Sequence, residues 1–455
     1  MDIIVGNVLS KVENASPKEL VWISEYLTFN TDSSNFVRHK YGYDTSLKLF
    51  HKIQHVFPTG LISSVHREGL KQNFTIEVND FRPKPTEEDL EVDISYLRDY
   101  QLEAVRRAIE VGRGILKIGT GGGKSVIGTA LVQMIPCHWL FIVNSKDLMH
   151  QMADKFTQFT GELTGKIGDG LWSPDKNERL TVATFQTIHR MWSKDRDKAK
   201  EFLNSIEGLI VDEAHVLAAD SFLDLAMRLS NAYYRIGLSA TPLDRGDKKS
   251  ICTIAALGPV IYELKAKDLI ERGVLAEPKI RMLQLEQHSL KATHQGVYSE
   301  LIVRSTSRNK KVVEAAQMAE KPCLLFVKQV NHGKELQKRL LKAGVNCDFT
   351  WGEKDTAHRK ECVKKLLRAE IDVLIVSVIF NVGIDIPELR SVVVASAGKS
   401  VIATLQRIGR GMRITDEKRT FEVYDVLDTG NKWMSRHAEQ RRRAYEREGF
   451  NVEIV

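Results

Sequence analysis

Two short stretches far apart in this 455-residue chain carry the residue types that phosphate chemistry needs. In Gly119-Thr-Gly-Gly-Gly-Lys-Ser125 the glycines let backbone N–H groups curl around a phosphate, and a helix starting near Lys124 would add the favourable end of its dipole. Lys124 would reach the β- and γ-phosphates of a nucleotide, and the Ser125 hydroxyl would meet Mg²⁺. The usual spacing places a further glycine at position 118, where this chain has Ile118. Downstream, Asp212-Glu213-Ala214-His215 follows the apolar run Leu209-Ile210-Val211. At the end of a strand, Asp212 would bind Mg²⁺ through water and Glu213 would polarise an attacking water. The second stretch, Gln406-Arg-Ile-Gly-Arg-Gly-Met-Arg413, supplies guanidinium groups that could balance charge on a phosphoryl group from across a cleft.

Such side chains need a scaffold that delivers them to one edge. From Leu97 onward short apolar runs alternate with amphipathic segments. Gly114–Ile118, Trp139–Val143, Thr181–Ala183, Leu209–Val211 and Arg235–Leu238 read as strands of a parallel sheet with crossover helices. A second series follows Leu269-Ile-Glu-Arg-Gly-Val-Leu-Ala-Glu-Pro278, with strands at Cys323–Val327, Val345–Phe349, Val373–Val376, Val392–Ala395 and Glu422–Tyr424. Helical segments lie near 331–343, 356–369 and 400–409. Two α/β domains in tandem are expected, with ligands at the carboxyl ends of their strands.

Upstream, Phe81-Arg-Pro-Lys-Pro-Thr-Glu-Glu-Asp-Leu90 reads as a linker closing a small N-terminal domain. Residues 36–74 carry six Lys/Arg (Arg38, Lys40, Lys48, Lys52, Arg67, Lys71) and four His against Asp44 and Glu68, interleaved with Phe36, Tyr41, Tyr43, Phe50 and Phe57. That mixture suits a phosphate-contacting, base-stacking surface, and equally a solvated face over an aromatic core. The net charge of +7 permits nucleic-acid binding without requiring it. Five scattered cysteines, never spaced Cys-x-x-Cys, point to buried free thiols in a reducing compartment rather than a zinc or iron–sulfur site. With neither a membrane span nor a secretory start, the expected location is the cytoplasm of a bacterial cell, or of the host if the chain is phage-encoded. Arg441-Arg-Arg443 sits on a charged segment, Ser435 to Glu448, that reads as a helix with a solvated face or a phosphate contact. Trp351 suits either a stacking wedge or a half-buried packing position.

Taken in order, these segments resemble the motifs of superfamily 2 helicases and translocases of DEAH-box-like type, over roughly residues 90–430. The resemblance implies an α/β fold: two tandem RecA-like parallel-sheet motor domains preceded by a small α+β N-terminal domain. Their ranges would be 1–88 for the DNA-binding N-terminal domain, 89–264 for the first motor domain and 265–455 for the second. Arg98-Asp-Tyr-Gln101 resembles the adenine-reading segment, which implies nucleotide contacts for Arg98 and Gln101. Thr120, Gly121, Gly122 and Gly123 would wrap the phosphates, and Gly383 and Asp385 of Gly383-Ile-Asp-Ile-Pro387 would add contacts from the second domain. Arg410 and Arg413 would stabilise charge on the γ-phosphate, and Gln406 would orient the water.

Ser239-Ala-Thr-Pro242 resembles the coupling motif, which assigns Ser239, Thr241 and His215 to linking hydrolysis with strand movement. Val143-Asn-Ser-Lys-Asp-Leu148 and Thr184-Phe-Gln-Thr187 resemble backbone-gripping segments. By that likeness Ser145, Lys146, Thr184, Gln186 and Thr187 would contact nucleic acid, with Lys328 and Ser377 doing so in the second domain.

The compact layout and the segment Val56-Phe-Pro-Thr-Gly-Leu61 are similar in particular to UvsW-type branched-DNA recombination helicases of phages. That likeness implies an enzyme using ATP and Mg²⁺ to unwind or branch-migrate forked and four-way DNA with little sequence preference. It would act as a monomer beside recombination or replication proteins, without a membrane partner, and removing residues 1–88 would spare basal ATP turnover. Two other readings stay open: an RNA helicase or restriction-type duplex translocase, and an ATP-gated junction clamp that never separates strands. Pro174-Asp175 has no Glu-x-Lys partner nearby, which disfavours an intrinsic nuclease.

Overall fold

The computed structural model describes residues 1–30, 46–85, 92–174, 179–213, 219–240, 250–352, 356–377, 386, 388–398, 409, 412, 414 and 418–455. They form two compact units, one of residues 1–118 and 123–263, the other of residues 119–122 and 264–455. Among the described residues no helix is long and apolar enough to cross a membrane.

The first unit begins with a four-stranded sheet in the order Val56–Pro58, Leu9–Glu13, Asp2–Val5, Glu77–Asp80. Asp2–Val5 pairs antiparallel with Leu9–Glu13 and parallel with Glu77–Asp80, so the module's first and last strands lie side by side. Helix Pro17–Tyr26 starts at a capping box in which Ser16 and Glu19 satisfy each other's backbone N–H groups, with Pro17 pre-set for the first turn. Among the described residues the aromatics Phe50 and Phe57 are buried rather than presented as a stacking platform. Phe50 and Phe57 are 7% and 0% exposed and pack with Ile3, Val12, Ile23, Leu61 and Val65. Arg67 and Lys71 are tied to Glu68, at 3.1 and 2.9 Å. The described part of 36–74 therefore favours an aromatic core beneath a basic face; Phe36, Arg38, Lys40, Tyr41 and Tyr43 lie outside the described residues.

That core continues into the neighbouring sheet domain. Ala255 belongs to it, and Leu223, Ile251 and Ile254 pack against it. Gly60 is the point of closest approach. A Cβ added there would lie 2.0 Å from the Ile254 carbonyl oxygen and 2.6 Å from that of Ala255. Arg82, at the start of the expected linker, bonds Asp80 and stacks on the Tyr233 ring at 4.4 Å. The N-terminal module is thus fused to its neighbour through a shared apolar interface.

The neighbour is an eight-stranded sheet in the order Leu171–Ser173, Gly165–Gly168, Leu180–Thr184, Trp139–Val143, Gly208–Asp212, Tyr234–Ser239, Arg113–Ile118, Val260–Leu264. The pairs from Gly165–Gly168 through Arg113–Ile118 are all parallel, which aligns their carboxyl ends along one edge. Trp139–Val143 is buried throughout, as expected of a strand covered on both faces. All five strands expected here from the sequence are present. Gly165–Gly168, Leu171–Ser173 and Val260–Leu264 are additional; the first two are too short or too polar to stand out by pattern, while the apolar Val260-Ile-Tyr-Glu-Leu264 run was readable.

The second unit holds a seven-stranded sheet in the order Cys347–Thr350, Val373–Ser377, Cys323–Val327, Ser391–Val394, Thr420–Thr429, Glu277–Glu286, Val452–Ile454, every neighbouring pair parallel. Glu277–Glu286 lies where the sequence suggested only a boundary, because Pro278, Lys279 and Arg281 break its apolar pattern. It is held by a ten-residue register with Thr420–Thr429. Helices Val330–Lys342 and Thr356–Leu367 stand where expected; 400–408 lies outside the described residues. On the C-terminal helix Lys432–Arg447 the arginine triplet divides: Arg442 and Arg443 lie toward solvent, as a solvated face requires, whereas Arg441 turns into the core. Arg441 is 1% exposed and donates to Asp425 at 2.8 and 3.0 Å, while Arg442 and Arg443 pair with Glu439. Trp351 is half-buried against Phe349, with ring centroids 4.9 Å apart.

Gly60→Val pushes carbon into the Ile254 carbonyl and is expected to destabilise the first unit by about 1–3 kcal/mol. Urea or thermal unfolding reads this as a lowered midpoint; an unchanged midpoint would mean that the module does not dock through this contact.

Candidate functional site

The site forms where three parallel strands end. Arg113–Ile118 runs into the glycine loop, Gly208–Asp212 ends at the carboxylate pair, and Tyr234–Ser239 lies between them in the sheet. In the loop Gly121 and Gly123 have φ of +90° and +83°, the left-handed region that side chains resist. Gly123 also passes so close to Gln101 that a Cβ would lie 2.2 Å from Nε2. Helix Lys124–Met134 starts immediately afterwards, so the N–H groups of its first turn face the loop.

Lys124 Nζ lies 3.6 Å from Glu213 Oε1 and 3.5 Å from the Ile118 carbonyl oxygen. Glu213 is held in a left-handed backbone conformation, φ 50°, with its N–H donating to the Leu238 carbonyl at 2.9 Å. Its other carboxylate oxygen accepts from the Ser239 hydroxyl at 3.4 Å. A bulky residue at positive φ is strained, and here the strain turns the carboxylate back toward Lys124. Asp212, beside it, has its carboxyl pushed up to about 7: burial is the main cause, the Glu213 carboxylate adds to it, and Lys124 opposes both. Two carboxylates thus share one nearby ammonium. Excess negative charge beside a hydroxyl and a carboxylate, the donor types Mg²⁺ takes, makes Ser125 and Asp212 a fit for that ion.

Gln101 is 5% exposed, and its Oε1 accepts from the Arg98 N–H at 3.0 Å, so the helix Asp99–Val111 begins beside the phosphate loop. The structure therefore brings together Gln101, Gly123, Lys124, Ser125, Asp212, Glu213 and Ser239. Arg98 starts the same turn, and Thr120, Gly121 and Gly122 lie in the loop itself.

A second polar group lies further along the same sheet edge. Ser145 caps helix Lys146–Thr160, accepting from the Leu148 N–H, and Gln186 donates to the Asn144 carbonyl at 3.4 Å. Thr184 donates to the Thr187 hydroxyl at 2.8 Å. Lys146 and His150 both meet Asp169, at 3.2 Å each, in the Gly168-Asp169-Gly170 turn. His150 and Asp169 carry no sequence signal of their own, since nothing local links a helix residue to a turn nineteen residues further on. In the second unit, Lys328 follows the strand that ends at Val327, which is in register with Ser377. Ser377 is 3% exposed, and Lys328 reaches over the Tyr298 ring at 5.3 Å. His215, Thr241, Gly383, Asp385, Gln406, Arg410 and Arg413 lie outside the described residues.

One contact was missed entirely by sequence reasoning. Lys155 Nζ, on helix Lys146–Thr160, donates to the Ser125 hydroxyl at 2.7 Å. Among the described residues no three His, Cys, Asp or Glu side chains converge into a metal cage.

Comparison with known proteins fits this geometry. Residues 94–244 match the family described as "Type III restriction enzyme, res subunit", and residues 307–415 match "Helicase conserved C-terminal domain". With both domains in this order on two RecA-like parallel sheets, the chain belongs to the superfamily 2 helicases. Among its relatives is the ATP-dependent DNA helicase uvsW of Enterobacteria phage T4, 26% identical over 444 residues, 90% of this chain and 86% of that protein. A Sulfolobus islandicus filamentous virus protein is 26% identical over 372 residues, 74% of this chain; the chain spans only 65% of that protein's length. The crystal structure of T4 UvsW matches with a TM-score of 0.50 and 21% identity, covering 100% of this chain and 99% of that one. The DNA-bound ATP-dependent Type ISP restriction-modification enzyme LlaBIII gives a TM-score of 0.61 at 17% identity, covering 86% of this chain and 34% of that one. At these identities the structural matches speak for the fold.

The raised Asp212 carboxyl carries a sign that can be tested. A carboxyl that holds its proton more tightly folded than unfolded favours folding at low pH, and that contribution disappears as pH rises through about 7. Asp212→Asn removes the charge, so it is expected to raise stability at pH 8 by about 2 kcal/mol relative to its effect at pH 5. Unfolding of both proteins at the two pH values measures the difference; equal shifts would mean that Asp212 is an ordinary, solvated carboxylate.

Proposed function

We propose that the chain is an ATP-dependent DNA helicase or translocase acting on branched DNA, with residues 1–88 as a duplex- or junction-holding module, 89–264 as the ATP-binding motor domain and 265–455 as its partner. The observation that carries the nucleotide part is the grouping of Lys124, Ser125, Asp212 and Glu213 at the carboxyl edge of one parallel sheet. ATP would lie with its phosphates on the 119–125 loop and its base near Arg98 and Gln101. Mg²⁺, held by Ser125 and Asp212, would neutralise phosphate charge. Glu213 takes the role of base: Ser239 and Lys124 fix its two oxygens, so its direction is set before any substrate arrives. Arg410 and Arg413 are assigned to balancing charge on the transferred group, Gln406 to orienting the water, Gly383 and Asp385 to nucleotide contacts, and His215 and Thr241 to coupling.

The polar ridge of Ser145, Lys146, Thr184, Gln186 and Thr187 is assigned to the nucleic-acid backbone, with Lys328 and Ser377 serving the second domain. These are hydroxyl, amide and ammonium donors suited to phosphates, which accounts for an expected lack of sequence preference. The DNA-helicase reading is supported by the near full-length match to a phage protein named as an ATP-dependent DNA helicase, and its branched-DNA part by the likeness of the layout and of Val56–Leu61 to UvsW-type helicases. The match of residues 94–244 to the family described as "Type III restriction enzyme, res subunit" favours a second reading, a restriction-type duplex translocase.

ATP-driven strand separation on a four-way DNA junction, a forked DNA duplex and an RNA duplex of matched sequence tests the proposal. The junction and fork should be resolved by the wild type, and Lys124→Ala should lose this activity together with at least about 100-fold in ATP turnover. Glu213→Gln should bind ATP without cleaving it. Turnover without separation of any substrate would favour the translocase or clamp, and normal hydrolysis by Glu213→Gln would remove the assigned base.

Deletion of residues 1–88 would uncover Ile251, Ile254 and Ala255, so it would not leave the motor domain undisturbed as the sequence resemblance implies. The module is better tested by Lys48→Glu with Lys52→Glu, both exposed. Junction binding should weaken about tenfold at low salt while DNA-independent ATP turnover stays unchanged; unaltered binding would remove these lysines from the DNA-holding role.

A further inference from the structure

We propose that Lys155 competes with Mg²⁺ for the Ser125 hydroxyl and thereby sets how tightly the phosphate loop takes a metal–nucleotide complex. The inference rests on the reading of 119–125 as a nucleotide site.

Two lysines approach this loop and they do different things. Lys124 turns toward Glu213 and the Ile118 carbonyl, whereas Lys155 Nζ donates to Ser125 Oγ at 2.7 Å. Both partners in the second contact stand on rigid ground. Ser125 is in the first turn of helix Lys124–Met134, and Lys155 is on helix Lys146–Thr160, whose Met149, Met152, Ala153 and Phe156 share a buried core with Ile127, Ala130 and Leu131. The two backbones are therefore fixed relative to each other, and any change in the contact must come from rotation about the long lysine stem.

A serine hydroxyl oxygen that accepts from an ammonium at this distance offers the same lone-pair side that a Mg²⁺ ion needs. Holding both at once would bring charges of +1 and +2 within about 4 Å of each other, in a half-buried setting where their repulsion is poorly screened. Metal engagement at Ser125 thus requires Lys155 to swing away. Lys155 is a positioning residue: it orients the hydroxyl and raises the metal concentration needed to take it over.

The test measures ADP binding by calorimetry across a Mg²⁺ titration and in EDTA, with the full-length wild type, Lys155→Met and Lys155→Arg. No hydrolysis enters this readout. The expected result is a Mg²⁺ requirement lowered at least about threefold in Lys155→Met. ADP affinity in EDTA should be unchanged, Lys155→Arg should sit close to wild type, and the Lys155→Met effect should vanish in a Ser125→Ala background. Thermal unfolding matched to wild type establishes that the variants are folded. Weaker ADP binding by Lys155→Met in EDTA would make Lys155 a phosphate ligand and overturn the proposal, as would an unchanged Mg²⁺ requirement. Absence of ADP binding by the wild type itself would remove the nucleotide reading and this inference with it.

Discussion

Two carboxylates sharing one ammonium at the end of a buried parallel strand is the constraint on which the candidate site depends. Asp212 and Glu213 are adjacent in sequence, so their charges cannot separate, and burial raises the cost of keeping both ionised. The fold holds them there through the backbone of Gly208–Asp212, paired on either side by Trp139–Val143 and Tyr234–Ser239. Glu213 is bent out of the strand by its positive φ, and Ser239 receives it from the neighbouring strand. The result is a site poised for cations, stabilised by the sheet around it rather than by its own charges.

The sheet edge gives that site its neighbours. Parallel pairing from Gly165–Gly168 to Arg113–Ile118 carries those strands' carboxyl ends to one side, so the 119–125 loop, the carboxylates and the Asn144-to-Lys146 and Thr184-to-Thr187 turns share an edge although they are distant in sequence. Helix Lys146–Thr160 joins the two groups in one rigid element: Ser145 caps its start on the polar ridge, and Lys155 reaches Ser125 from its later turns. A displacement of one end of this helix has a direct mechanical route to the other.

The second unit solves its internal charges differently. Its buried arginines are paired: Arg308 with Asp428 at 2.8 Å and Arg441 with Asp425 at 2.8 Å. Both acids lie on the long strand Thr420–Thr429, which also takes the full register of Glu277–Glu286. Removing either partner would leave a buried charge without compensation, so these pairs fix the helices Thr306–Met318 and Lys432–Arg447 to the sheet. The N-terminal module is fixed by shape instead, through the glycine that lets the Pro58-to-Leu61 turn touch the Ile254 carbonyl.

The sequence by itself announced the class of fold and the residues of the candidate site. Apolar runs of five or six residues, punctuated by helical periods, announced most of the parallel strands, and Gly119–Ser125 with Asp212 and Glu213 announced the phosphate chemistry. Both signals are local, because strand burial and phosphate cradling are written in consecutive residues. Tertiary structure alone decided what depends on long-range juxtaposition. Glu277–Glu286 became a strand because a ten-residue partner accepted it despite its charges. Arg441 became a core residue because Asp425 lay beneath it, and Phe50 and Phe57 became packing residues because the module closed over them. Lys155 met Ser125 only because two helices thirty residues apart in phase with one core were packed side by side. Contacts of that kind are set by the free energy of burying whole faces, which no window along the chain contains.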